Sequence, residues 1–167
     1  MTSVLQLTHC LTQRPAAPPI ADVRLRHYDG PRDIPIWLDL RRRAFARQKL
    51  GVRDWDAGDF EHELLNKSWW HPRAMWFAET QSLLLPAAAV GTVTLAWRGD
   101  PPDAKPVVHW LAVLPGFRRR GVARLLVSAL EAAVWDAGGR QVWLETHVNW
   151  VEAARLYHSL GYEPVHA

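Results

Sequence analysis

A chain of 167 residues, 49% apolar and 22% charged, has the size and composition of one globular domain with a core of its own. Its net charge of +3, with acidic residues interspersed throughout, is too slight to favour nucleic acid over a small phosphate-bearing ligand. The lone cysteine, Cys10, leaves no internal disulfide and no cysteine-built metal site.

Residues 1–20 read as an N-terminal extension, either disordered or an added strand. Thr2 to Leu11 suits a loose strand, after which Pro15, Pro18 and Pro19 break regular structure. No basic stretch precedes the short apolar segment there, which argues against a signal peptide and makes the cytoplasm the expected compartment. Residues 21–167 read as one domain. Val23 and Leu25 alternate with arginines in a first strand. Asp33 is the expected cap of a helix that tolerates Pro35, turns Ile34, Trp37, Leu38 and Phe45 to one face and stops at Gly51. Arg41, Arg42 and Arg43 on that helix read as a solvated face. Asp56 or Asp59 caps a second helix carrying Phe60, Leu64 and Leu65.

Ala74 to Thr80 and Val90 to Arg98 read as two strands joined by an apolar loop around Pro86; the longest apolar run, Ser82 to Val93, is broken by Pro86, Gly91 and Thr92 and falls short of a membrane span. Gly99 to Asp103 is a turn, and Pro106 to Leu114 a further strand. The strongest helix follows: Val122, Leu125, Leu126, Ala129, Leu130, Ala133, Val134 and Ala137 recur at three- and four-residue spacing, and Gly138-Gly139 ends it. Gln141 to His147 is a strand. Asn149 is the expected cap of a last helix, Val151 to Leu160, closed by Gly161, and Tyr162 to His166 makes a final short strand. Helices among strands that are partly hairpin-linked and partly crossed over give an α+β layout.

The segment from Val113 to Arg124 carries the most chemistry. A strand runs through a short loop holding Arg118, Arg119, Arg120 and Gly121 directly into the strong helix. First-turn amides of a helix have no intrahelical partner, and the macrodipole makes that end positive. A pyrophosphate fits there. Gly121 lets the main chain come close, Ala123 keeps bulk away, and the arginines, with Arg124, add charge. The competing reading, an ordinary strand-turn-helix with a solvated arginine face, is weaker because the order of features is specific.

Arg118-x-x-Gly121-x-Ala123, following the strand that contains Trp110 to Val113, resembles the coenzyme motif of the GNAT superfamily of N-acetyltransferases. Asn149, the run Ala153 to Tyr157, and Gly161-Tyr162 resemble that family's last helix, and Val90-Gly91 is similar to the start of its third strand. The resemblance implies a mixed, mostly antiparallel twisted sheet flanked by helices and splayed between its fourth and fifth strands. It implies acetyl-CoA as cosubstrate, with Leu111, Ala112 and Val113 along the pantetheine arm. The main chain of Arg119, Arg120, Gly121, Val122, Ala123 and Arg124, helped by Arg118, would hold the pyrophosphate, and Asn149 would touch the pantetheine or hold the final helix. The family usually has two strands after the last helix where this sequence has room for one; another subunit, and so a homodimer, or the N-terminal segment would supply that wall.

The implied reaction is direct attack of a primary amine on acetyl-CoA in a ternary complex. Tyr157 matches the family's general acid, with a packing role as the alternative. The main-chain N–H of Val113 would meet the oxyanion. His109 is the candidate base: it lies four residues before Val113 and shares its face if no bulge intervenes, and histidine titrates near neutrality. Glu79, Glu145, His147 and a water chain are alternatives. No zinc spacing joins these residues, so no metal is expected. Trp69 and Trp70, with Trp37, Trp55 and Trp76, either line an aromatic acceptor pocket or fill the core. A non-catalytic acyl-CoA-binding module is the alternative function; a nucleic-acid-binding domain using both arginine clusters is disfavoured.

Overall fold

The computed structural model describes residues 3–46 and 53–166. The strands are β1 (Val4–Cys10), β2 (Val23–His27), β3 (Met75–Thr80), β4 (Ala89–Arg98), β5 (Lys105–Val113), β6 (Gln141–His147) and β7 (Glu163–Pro164). The helices are α1 (Asp33–Ala44), α2 (Ala57–Phe60), α3 (Val122–Asp136) and α4 (Val151–Ser159). One seven-stranded sheet runs in the order β2-β3-β4-β5-β6-β1-β7. Only β5 with β6 is parallel; the other neighbours are antiparallel.

The central strands are buried on both faces, β3 over Met75 to Glu79 and β4 over Val90 to Ala96. Helix α1 covers one face and α3 the other. Leu126, Leu130 and Val134 recur along α3 and are fully buried; each large aliphatic side chain so removed from water contributes roughly 1.5–3 kcal/mol. Gly91 on β4 is what lets α3 lie so close. A Cβ built there would come 3.0 Å from the Leu126 side chain and 3.1 Å from the Ala112 carbonyl.

The N-terminal segment is part of this sheet. β1 pairs with β6 over seven residues, from Val4 opposite His147 to Cys10 opposite Gln141. β7 pairs only with Leu7 and Thr8 on the far side of β1. Leu7 and Leu11 enter the core. Behind them is a buried polar cluster in which the Tyr162 hydroxyl donates to Glu131 Oε1 at 2.8 Å and His9 Nδ1 lies 2.9 Å from the same oxygen. Burial, then the Glu131 carboxylate, holds the Tyr162 hydroxyl well above the ordinary tyrosine range.

Several local expectations are corrected. Asp33 is the first residue of α1 rather than its cap; its carboxylate instead accepts from the Asp29 N–H and from both Nη atoms of Arg26. Helix α1 ends at Ala44, and Gly51 lies outside the described residues. Asp56 and Asp59 act together, each carboxylate accepting the other's main-chain N–H, and α2 then widens into a π-helical turn over Glu61–Leu65. The N-cap of α4 is Trp150, not Asn149. The last strand shrinks to two residues, Glu163 and Pro164 opposite Thr8 and Leu7, with one further main-chain bond from the Val165 N–H to the Gln6 carbonyl.

Candidate functional site

β5 is regular up to His109 and then bulges. Thr94 lies opposite His109 but Thr92 lies opposite Ala112, so three steps on β5 match two on β4. Trp110 absorbs the extra residue with φ of 50°, a left-handed conformation that a bulky side chain adopts only when its surroundings enforce it. The same-face expectation for His109 and Val113 is therefore corrected. Val113 packs in the core, in register with Gly91 on the α3 side. His109 turns to the other side, its ring edge-on to Trp69 with centroids 6.4 Å apart.

Past Val113 a single 3₁₀ turn, Pro115–Phe117, leads into the arginine loop. Arg119 and Gly121 both have left-handed φ, 61° and 86°. Gly121 occupies the N-cap of α3, and no side chain caps that helix. The first-turn amides are left to a ligand or solvent; what Gly121 supplies is its left-handed φ, since a Cβ there would meet only Ile20 Cδ1 at 3.7 Å.

The arginines divide into distinct roles. Arg118 is a structural tie: its Nε donates to the Val113 carbonyl at 3.1 Å and its Nη2 to the Ala44 carbonyl at 2.7 Å. Arg124 Nη2 donates to the Ser159 carbonyl at 3.0 Å, joining α3 to α4. Arg120 lies over the Phe117 ring, whereas Arg119 lines the cavity beside the loop.

That cavity, about 1170 Å³, joins the loop to the open face of the sheet. Leu111, Ala112, Val113, Gly121, Val122, Ala123 and Arg124 line one end together with Leu156, Tyr157 and Leu160 of α4. His109, Trp110, Arg98, Glu145, His147, Phe45, Trp150 and Val4 line the other. β5 and β6 share one registered pair, Val107 with Trp143, and both strands contribute to the cavity beyond it. Asn149 is exposed and lies outside the lining, as does Arg120.

Tyr157 makes no side-chain hydrogen bond among the described residues, and burial pushes its hydroxyl up to about 12, so it is protonated at neutral pH. His109 departs from the near-neutral titration expected of it. Desolvation, with the Arg98 charge second, pushes it down to about 4, so it is neutral at physiological pH and offers a lone pair. Of the alternative bases, Glu79 bonds Arg24 and Arg26 and lies outside the cavity lining. Glu145 and His147 do line it.

The tryptophans also sort themselves. Trp37 and Trp76 are core, and Trp70 packs on Tyr28 and Phe60. Arg41, expected to be solvated, is 4% exposed; its guanidinium lies between Trp55 and Trp110, 4.6 Å from each ring centroid. Trp110 and Trp150 line the cavity, although nothing in the sequence marks them as acceptor-wall residues. Among the described residues no group of three or more His, Cys, Asp or Glu is arranged to hold a metal, and no helix is long and apolar enough to cross a membrane.

Residues 37–162 match the family described as the Acetyltransferase (GNAT) family. The chain belongs to the GNAT family. It is 31% identical over 141 residues to a mycothiol acetyltransferase of Thermobispora bispora, covering 84% of this chain and 46% of that protein. It is 30% identical over 135 residues to an uncharacterised Mycobacterium leprae protein, covering 81% of this chain and 33% of that one. The chain thus spans half or less of the length of these curated relatives.

Among solved structures, a GCN5-related N-acetyltransferase from Sphaerobacter thermophilus superposes with a TM-score of 0.70 at 20% identity, covering 98% of this chain and 48% of that one. An aminoglycoside N-acetyltransferase, AAC(6')-Iy, in complex with CoA superposes with a TM-score of 0.66 at 19% identity, covering 91% and 95%. These show the GNAT fold. In this member the strand beside β6 is β1, drawn from the N-terminal segment.

Proposed function

We propose that this GNAT domain is an acetyl-CoA-dependent N-acetyltransferase that acts on a primary amine, in the cytoplasm, by direct attack in a ternary complex. One observation carries the reading: a single cavity connects the uncapped start of α3 to the side chains of Tyr157 and His109. The residues present suit the coenzyme. A bare Gly121, unclaimed first-turn amides and Arg119 offer a diphosphate both hydrogen bonds and charge. The main chain of Leu111 to Val113 borders the space between β5 and β6, where the strands would splay around the pantetheine arm.

In this reading the neutral amine attacks the thioester carbonyl, a C–N bond forms and the C–S bond breaks. Tyr157 gives its proton to the departing sulfur. The amine proton leaves past His109, whose neutral imidazole accepts a hydrogen bond, towards Glu145 and solvent. We assign the oxyanion to the main-chain N–H of Val113: the Leu114 N–H bonds the Val90 carbonyl, so the alternation of an antiparallel ladder turns the Val113 amide away from β4, towards β6 and the cavity. Labelled acetyl-CoA offered with a panel of amines tests the proposal. Formation of an amide with at least one amine supports it; tight CoA binding with no amide from any amine would instead favour a non-catalytic acyl-CoA-binding module.

A further inference from the structure

On the acetyltransferase reading, on which this inference rests, the charge pattern at the acceptor end of the cavity selects among amines. Arg98 on β4 and Glu145 on β6 meet across β5, with Arg98 Nη1 2.6 Å from Glu145 Oε1. Gln6 Nε2, from β1, lies 3.4 Å from the same oxygen. Glu145 Oε2 has no partner among the described residues. The two side chains are 49% and 36% exposed, so each is free to turn towards a ligand without leaving a buried charge behind.

His109 lines the same cavity as this pair. Its ring is 5.7 Å from that of Trp110, and Trp110 is in turn 6.1 Å from Phe45. Phe45 stacks on Trp150, centroids 6.0 Å apart and planes 22° from parallel. One carboxylate and one guanidinium therefore sit side by side in a cavity that also carries a continuous run of aromatic rings.

Electrostatics decides between acceptor classes. The cavity is lined by five arginines (98, 118, 119, 124 and 155) against two glutamates (145 and 152). A polycationic acceptor would meet Glu145 but would be repelled by Arg98 at contact range. A simple monoamine would satisfy Glu145 and leave Arg98 without its partner. An amine that carries its own carboxylate replaces both halves of the Arg98–Glu145 pair at once, with charge-assisted bonds on each side.

We propose that Arg98 and Glu145 form the recognition pair for a zwitterionic acceptor, an α-amino acid with an apolar or aromatic side chain. Glu145 takes the ammonium and brings it next to His109, Arg98 takes the carboxylate, and Trp110, Phe45 and Trp150 receive the side chain. Gln6 of β1 steadies Glu145, so the N-terminal strand helps set specificity.

Calorimetry on the full chain saturated with CoA tests this without requiring turnover. L-phenylalanine is compared with phenethylamine, which lacks the carboxylate, and with spermidine. We expect phenylalanine to bind roughly tenfold to a hundredfold more tightly than phenethylamine. Arg98→Met should abolish that preference and Arg98→Lys should retain part of it, with the CoA affinity of each variant unchanged. Equal or tighter binding of phenethylamine or spermidine, or a preference that survives Arg98→Met, overturns the proposal while leaving the acetyltransferase reading intact. Zwitterion selectivity with no acetylated product from phenylalanine overturns the acceptor assignment, and only failure across the whole amine panel counts against the enzyme reading.

Discussion

At the proposed coenzyme end of the cavity the groups offered to a ligand are mostly main chain, drawn from one continuous stretch between Leu111 and Arg124. At the acceptor end they are side chains from β1, α1, β4, β5, β6 and the α4 cap, brought together only by the fold. The first kind of site is tolerant: its donors are fixed by the loop, and most side chains around it can change. The second depends on individual residues. Substitutions should therefore divide cleanly: those in the loop act on coenzyme affinity, and those of Tyr157 and of the acceptor-end side chains act on turnover or acceptor choice.

The largest expected effect breaks the pattern if it fails. Tyr157→Phe should lower kcat by about 10²–10⁴-fold while leaving the Kd for CoA unchanged; an unaltered kcat in steady-state kinetics would remove Tyr157 from the chemistry. Gly121→Val comes next. Its φ of 86° is strained for a β-branched residue, at a cost on the order of 1–3 kcal/mol. CoA affinity should weaken about tenfold or more with kcat at saturation retained, as measured by calorimetry and full kinetics.

His109 sharpens the comparison through pH. Its folded-state value, about 4, lies below the ordinary 6.5, so the unfolded chain binds the extra proton first. This group's contribution to stability is complete above pH 6.5 and is lost as pH falls from 6.5 towards 4, by about 1.4 kcal/mol for each pH unit at most. His109→Gln should flatten that part of the Tm-against-pH curve. The smallest effect separates neighbouring arginines. Arg119→Ala should raise the Kd for CoA a few-fold, on the scale of one charge-assisted hydrogen bond, whereas Arg120→Ala, outside the lining, should change it little.

Legibility in the sequence follows the same division. The strand-loop-helix at the proposed coenzyme end can be read because its elements are local: an apolar strand, a loop with Gly121, and the periodic apolar face of α3 lie consecutively in the chain. β6 is legible to the residue, and β4 and β5 to within one residue at each end. The acceptor end is not legible, because its determinants are non-local. The bulge at Trp110 depends on how β4 and β5 pair, and nothing in the alternation of β5 announces it. Arg41 has the charge of a surface residue, yet two tryptophans from separate segments enclose it. β1 does alternate, with Leu5 and Leu7 against Gln6 and Thr8, but its place between β6 and β7 is a matter of long-range register. The shift at His109 arises from burial, and one of the rings against it, Trp69, comes from a separate segment that β5 does not reveal.

The central claim is that the main-chain amides opening α3 grip the coenzyme diphosphate. Backbone amide resonances followed through a CoA titration test it most directly. The account predicts the largest saturable shifts at Gly121, Val122, Ala123 and Arg124, with a second set at Leu111 to Val113. Saturation that leaves those amides unmoved, or shifts confined to the Arg41–Arg43 face of α1, would contradict it.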